Sequence, residues 1–131
     1  MCFVHSSPYQ PTAWDYILTL DNAKKNFTYF DKQICFIGHS HITKIIIKQD
    51  INYTTHTQQE VITRESERYI INVGSVGQPR DGNENACYTL YNTSRGKIYL
   101  CRVSYKIAVT QKKMLSAGLP PYLSNRLAYG Q

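Results

Sequence analysis

Long hydrophobic stretches are absent from this sequence. No run approaches the ~20 apolar residues that a membrane-spanning helix requires, and the first residues lack the positive segment and apolar core of a secretion signal. Internal repeats and low-complexity tracts are absent as well. These absences argue against a membrane partner and a repeat architecture. They predict a cytoplasmic location and a single domain for the 131 residues.

Cysteine is scarce and widely spaced. Four cysteines occur, and no two of them form a C-x-x-C pair. A zinc knuckle and a thioredoxin-like redox site are therefore excluded, because both need closely spaced thiols. Most of the four stand in apolar runs, so we expect reduced, buried thiols rather than disulfides.

Acidic residues are fewer than basic ones, 9 against 15, which gives a net charge of +6. Such a balance invites a nucleic-acid partner, but the basic residues are scattered and do not alternate with aromatic residues along one stripe. The pattern therefore argues against nucleic-acid binding.

Short apolar runs bounded by turn residues dominate the sequence, and tyrosine is common at 11 residues. They predict strands at residues 2–5, 33–37, 44–48, 51–55, 69–73, 86–91 and 97–103, with residues 57–67 irregular. Helices are predicted at residues 13–18, 22–30, 107–117 and 123–127. The fold class is therefore mixed α/β, or α+β-like, with a mainly antiparallel sheet.

Three histidines follow predicted strands. His39 and His41 stand in G-H-S-H directly after the strand at 33–37, and His5 ends the first short strand. On an extended backbone, an i, i+2 pair points both imidazoles to the same side, where they could face one metal or two adjacent ones. Spacing alone favours solvated or hydrogen-bonded histidines over metal ligands, and it favours a structural role for His5.

The glycine-rich loop at residues 74–83 has two possible roles. It is a tight structural turn between strands, or it is a wall of a phosphate site. In the second case backbone N–H groups, Ser75 and Arg80 would face an anion.

Three segments resemble motifs of the calcineurin-like metallophosphoesterases. Residues 34–41 are similar to the last metal motif of the family, and residues 3–8 resemble the motif that precedes it. Residues 72–82, N-V-G-S-V-G-Q-P-R-D-G, resemble a stretch of the bacterial branch of small phosphodiesterases. The motifs occur in family order, and the resemblance covers essentially the whole chain.

The resemblance implies a fold, a reaction and a cofactor. The fold would be part of a two-sheet sandwich flanked by helices. The reaction would be hydrolysis of a phosphomonoester or phosphodiester at a dinuclear centre of divalent metal ions such as Mn²⁺, Fe or Zn²⁺. By family correspondence, His5 and His39 would bind one ion and His41 the other.

The family's earlier motifs, D-x-H, G-D-x-x-D and G-N-H-[DE], are missing from the sequence. Residues 1–131 would thus be a single, incomplete domain, the C-terminal half, with incomplete metal binding and no catalytic residue of its own. We expect it to be inactive alone and to leave the strands at 34–37 and 70–73 exposed. It would then pair with itself or with a separately encoded N-terminal half. The alternatives are a non-catalytic interaction module and a mononuclear metal-binding protein that uses the three histidines.

Overall fold

The computed structural model describes all residues from 1 to 131 and contains two β-sheets and three α-helices. The strands are β1 Cys2–Phe3, β2 Ile34–Ile37, β3 Lys44–Gln49, β4 Asn52–His56, β5 Glu60–Ile62, β6 Glu67–Asn72, β7 Ala86–Asn92 and β8 Lys97–Val103. The helices are α1 Leu20–Asn26, α2 Ile107–Ser116 and α3 Pro121–Asn125, with 3₁₀ helices at Pro11–Ala13 and Arg126–Tyr129. No helix has the length and apolar content needed to span a membrane.

The larger sheet has the strand order β1-β2-β6-β3-β4, and the smaller one has the order β5-β8-β7. Four of the six strand pairings are antiparallel, which confirms the predicted α/β class with mostly antiparallel strands. The exceptions are β1, β2 and β6, which run parallel to one another. Because parallel strands end at the same edge of a sheet, the loops after these three strands meet there.

The larger sheet is covered on both faces by elements of this chain. Side chains alternate between the faces along β2, β3 and β6, as the two-residue period of a strand requires. The face toward the smaller sheet carries Ile34, Phe36, Ile45, Ile47, Tyr69 and Ile71, packed on Ile98 and Leu100. The face toward α1 carries Cys35, Ile37, Ile46 and Ile70, packed on Ile17, Ala23 and Phe27. The prediction that the strands at 34–37 and 70–73 would be exposed is therefore wrong, because α1 and the smaller sheet bury them.

Two helix predictions fail near the N-terminus. The segment at 13–18 is not helical; a 3₁₀ turn ends at Ala13, and Trp14 has a left-handed backbone with φ 60°. Helix α1 begins earlier than predicted because Thr19, not Asp21, caps it: the Thr19 side chain accepts from the backbone N–H of Asn22 in a capping box.

The other differences are smaller. Strand β5 lies in the stretch predicted to be irregular, and only its pairing with β8 defines it. Helix α2 ends as predicted, with Gly118 at φ 76° just beyond it. All four cysteines are free, and Cys35 and Cys87 are buried.

Candidate functional site

The candidate site lies where β1, β2 and β6 end. His5 follows β1, the G-H-S-H loop follows β2, and the glycine-rich loop follows β6. Backbone bonds join the three segments: the N–H of Gly38 donates to the carbonyl of His5 at 2.9 Å, and the N–H of Arg80 donates to the carbonyl of His41 at 3.1 Å. The parallel topology therefore collects segments that are far apart in the sequence.

The structure brings His5 and His39 into contact. Their ring centroids are 5.3 Å apart, with the planes inclined at 63°. His41 is held separately, since its Nδ1 lies 2.8 Å from the carbonyl oxygen of Gln78. A carbonyl only accepts, so Nδ1 carries the proton and Nε2 keeps a free lone pair, which is the tautomer that a metal ligand requires.

The ionisation of His41 also favours the neutral ring. Burial lowers the pKa of His41, the hydrogen bond to the Gln78 carbonyl acts in the opposite direction, and charge interactions with Arg80, His39 and His5 lower the pKa further. His41 is therefore an imidazole that resists protonation, in a position close to other basic groups.

The G-H-S-H loop is not extended, so the reasoning from an extended i, i+2 pair is wrong. His39 and His41 both have positive φ values, 64° and 61°. A left-handed backbone is unfavourable for residues other than glycine and clusters at functional positions. The two imidazoles are therefore placed by a strained turn.

Asn72, the last residue of β6, supports this turn. Its Nδ2 donates to the carbonyl of Gly38 at 3.0 Å and to Ser40 Oγ at 2.8 Å, and its Oδ1 accepts from the N–H of Gly74 at 3.1 Å. Asn72 and Ser40 are both buried. Neither residue was predicted as a site residue, although a polar residue that ends an apolar strand is a usable signal in the sequence.

The glycine-rich loop is internally bonded. Arg80 donates from Nε and Nη2 to Gln78 Oε1 at 3.2 and 2.7 Å, and the hydroxyl of Ser75 accepts from the N–H of Gln78 at 3.0 Å. These bonds support the structural-turn interpretation. Binding of substrate by Ser75 and Arg80 stays a prediction.

A largely buried ion pair anchors both loops to the smaller sheet. Arg102 on β8 donates to Asp81 and, at 2.8 Å, to Thr43 Oγ1. Asp81 Oδ2 also accepts from the N–H of Thr43 at 3.1 Å. Burial alone would raise the pKa of Asp81, but the hydrogen bonds from Arg102 and Thr43 outweigh it and hold that pKa below its ordinary value. The carboxylate is therefore engaged in structure.

Two aromatic side chains cover the adjacent histidines. Tyr16 stacks on His39 with centroids 4.4 Å apart and planes within 12°, and Trp14 lies 5.4 Å from both His39 and His5. This contact could not be expected from the sequence while residues 13–18 were predicted to be helical.

Comparison with known proteins identifies the fold. Over 98% of its length the chain matches the crystal structure of a metallophosphoesterase from Sphaerobacter thermophilus, with a TM-score of 0.86 and 39% identity. The chain is therefore similar to a metallophosphoesterase and shares its fold. It covers 54% of that relative, as expected for the C-terminal part of such a domain.

Two further comparisons also cover nearly all of this chain but only about half of the related protein. An uncharacterized protein of Methanocaldococcus jannaschii is 36% identical over 129 residues, which make up 98% of this chain and 51% of that protein. A hypothetical protein of Pyrococcus horikoshii shares the fold, with a TM-score of 0.67 and 14% identity over 98% of this chain and 46% of that one. No family model matches the sequence. The chain thus spans about half the length of the relatives it matches.

The donor set of this chain fits a dinuclear metal centre only in part. No group of three or more His, Cys, Asp or Glu side chains is arranged to hold a metal ion. His5 and His39 are adjacent, His41 is turned to Gln78, and the carboxylate of Asp81 is taken up by Arg102 and Thr43. Two divalent ions need carboxylates to offset their charge, so the three imidazoles do not form such a centre by themselves.

Proposed function

We propose that this chain is the histidine-bearing part of a metal-dependent phosphoesterase. His5, His39 and His41 would supply neutral ligands to a centre of Mn²⁺, Fe, Zn²⁺ or a similar ion, and the carboxylate ligands would come from another polypeptide segment. The substrate class would be a phosphomonoester or phosphodiester. The observation that carries this proposal is that three histidines follow neighbouring parallel strands at one sheet edge, two of them on a left-handed turn. No group of acidic side chains completes a metal site with them.

An apolar groove beside the site is consistent with a partner segment that binds there. It has a volume of about 560 Å³ and is lined by residues of β1, β2 and β7 together with His5. Strand β1 pairs only with β2, and Phe3 on it is 72% exposed. A separately encoded N-terminal half could fill this groove and extend the sheet at the free edge of β1.

The test is complementation. The chain is assayed with Mn²⁺ and bis-p-nitrophenyl phosphate, alone and after mixing with the separately expressed part of the Sphaerobacter thermophilus metallophosphoesterase that this chain does not cover. We expect no turnover from the chain alone and turnover from the mixture. His39→Ala should abolish that turnover, whereas His56→Ala on β4 should not, because His56 contacts Thr54 and not the site.

Two outcomes would contradict the proposal. Turnover by the chain alone that His39→Ala abolishes would mean that the ligand set is complete. A mixture that associates but never turns over substrate would favour the alternative of a non-catalytic interaction module, for which the apolar groove is the binding surface.

A further inference from the structure

Trp14 and Tyr16 are large aromatic side chains that remain exposed beside the candidate site. Their exposed fractions are 55% and 45%. One face of Tyr16 is covered by His39, with the rings nearly parallel at 4.4 Å, so its exposure falls on the opposite face and the edges. Neither ring belongs to the hydrophobic core, and both touch residues proposed to bind metal.

The loop that carries these rings is anchored. The hydroxyl of Ser6 donates to the carbonyl of Pro11 at 2.8 Å, and the N–H of Tyr9 donates to Asn26 Oδ1 on α1 at 2.9 Å. Trp14 itself has a left-handed backbone, with φ 60°. A bulky residue adopts this conformation at a cost, so a fixed loop that presents Trp14 to solvent points to a role outside folding.

A basic residue lies in the loop beside the rings. His39 touches Tyr16, and the backbone N–H of Arg80 donates to the carbonyl of His41 at 3.1 Å. The chain as a whole carries a net charge of +6. An anionic group near Arg80 and His41 would leave the rest of its ligand beside the two aromatic rings.

We propose that Trp14 and Tyr16 form a stacking subsite for a planar ring attached to the phosphate of the ligand. The ring is a nucleobase or a simple aryl group, since both present the flat face that an aromatic side chain stacks on. The subsite deepens the proposed function, because it names the class of phosphate ester that the site selects. Stacking is separate from hydrolysis and needs no metal.

Fluorescence titration tests this subsite, because Trp14 is the only tryptophan of the chain. The metal-free chain is titrated with adenosine 5′-monophosphate, phenyl phosphate, ribose 5-phosphate and inorganic phosphate. We expect the first two to quench Trp14 and to bind more tightly than the last two. Stronger binding of the nucleotide would identify a nucleobase, and stronger binding of phenyl phosphate would identify an aryl group.

Variants separate stacking from a general effect on the fold. Tyr16→Ala should weaken binding of the ring-bearing ligand by about fivefold to 100-fold, whereas Tyr16→Phe should preserve it. Tyr122→Ala is the control, since Tyr122 is an exposed tyrosine on α3, away from the site. Calorimetry with Trp14→Ala, which removes the fluorophore, should show the same loss as Tyr16→Ala.

Two results would overturn the proposal. One is equal affinity for adenosine 5′-monophosphate, phenyl phosphate and ribose 5-phosphate, or no binding of any of them. The other is an equal effect of Tyr16→Ala and Tyr122→Ala. The titration requires neither turnover nor metal, so its result does not depend on the complementation assay. Failure of the stacking proposal can therefore be distinguished from failure of the proposed function.

Discussion

The ion pair between Arg102 and Asp81 offers the sharpest test of how the site is supported. The two side chains are only 18% and 13% exposed. Asp81 accepts from Arg102 and Thr43 through Oδ2, while its buried Oδ1 has no partner. Arg102→Met would keep much of the aliphatic volume and remove the charge. It would leave the carboxylate of Asp81 with a single donor.

The expected loss of stability follows from that burial. Removing one partner of a buried ion pair costs ~3–5 kcal/mol, because the other charge is left uncompensated. We expect about 3 kcal/mol here, since both groups keep some contact with solvent. A domain of this size is stable by only about 5–15 kcal/mol. Arg102→Met should therefore lower the melting temperature by roughly 10 °C.

The assay is urea unfolding followed by circular dichroism at several pH values. The pKa of Asp81 is lowered in the folded protein, so its contribution is present above the ordinary aspartate pKa and is lost as the pH falls through the lowered value. The difference between wild type and Arg102→Met should thus be large at pH 7 and shrink below about pH 4. Asp81→Asn combined with Arg102→Met should recover part of the stability, because no charge is left buried.

Lys24→Met is the control, because the Lys24–Asp21 pair on α1 is exposed and its loss should not measurably change stability. The reasoning would be refuted if Arg102→Met unfolded at the same urea concentration as wild type. It would also be refuted if the double variant were less stable than Arg102→Met alone.

Three further predictions concern backbone strain and buried groups. Gly74→Ala should destabilise far more than Gly118→Ala in thermal unfolding: both glycines have positive φ, but a Cβ at Gly74 would lie 2.6 Å from a threonine hydroxyl, whereas one at Gly118 meets nothing within 4 Å. Equal melting temperatures would contradict this. Burial and the neighbouring Glu67 carboxylate raise the pKa of Tyr69 to about 12, so ultraviolet titrations of wild type and Tyr69→Phe should coincide up to about pH 11 and separate only above it. In the native state an aromatic disulfide reagent should modify only Cys2 and Cys101, which are partly exposed, and rapid reaction of all four thiols would show that the core opens.

The strands could be predicted from the sequence because each is a local pattern. The runs at 33–37 and 44–48 are apolar enough to be buried on both faces, and they form β2 and β3 almost as predicted. The strands that pair with β2 and β3 could not be predicted, because strand pairing joins residues that lie far apart in the sequence. Strand β6 lies between β2 and β3, with Ile34 opposite Tyr69 on one side and Ile46 opposite Ile70 on the other.

The candidate site could be predicted in composition but not in conformation. The motifs identified His5 and His39, and the structure places their rings in contact. The left-handed turn could not be read from G-H-S-H, because the bonds that stabilise it come from Asn72, more than thirty residues away. The helix predicted at 13–18 failed for a similar reason: Ile17 is buried in the core under α1, while Tyr16 packs on His39.

The left-handed turn at His39 and His41 is unfavourable in free energy, and this explains why several hydrogen bonds stabilise it. Two residues other than glycine with a left-handed backbone cost ~1–3 kcal/mol each, a large share of the stability of one domain. Folding alone does not require this, because glycine at either position would relieve the strain. The strained turn holds His39 against His5 and His41 against Gln78, so both imidazoles are oriented before any ligand arrives. Asn72 bonds the turn directly, and the Asp81 ion pair holds Thr43 just after it, as expected for a preorganised site.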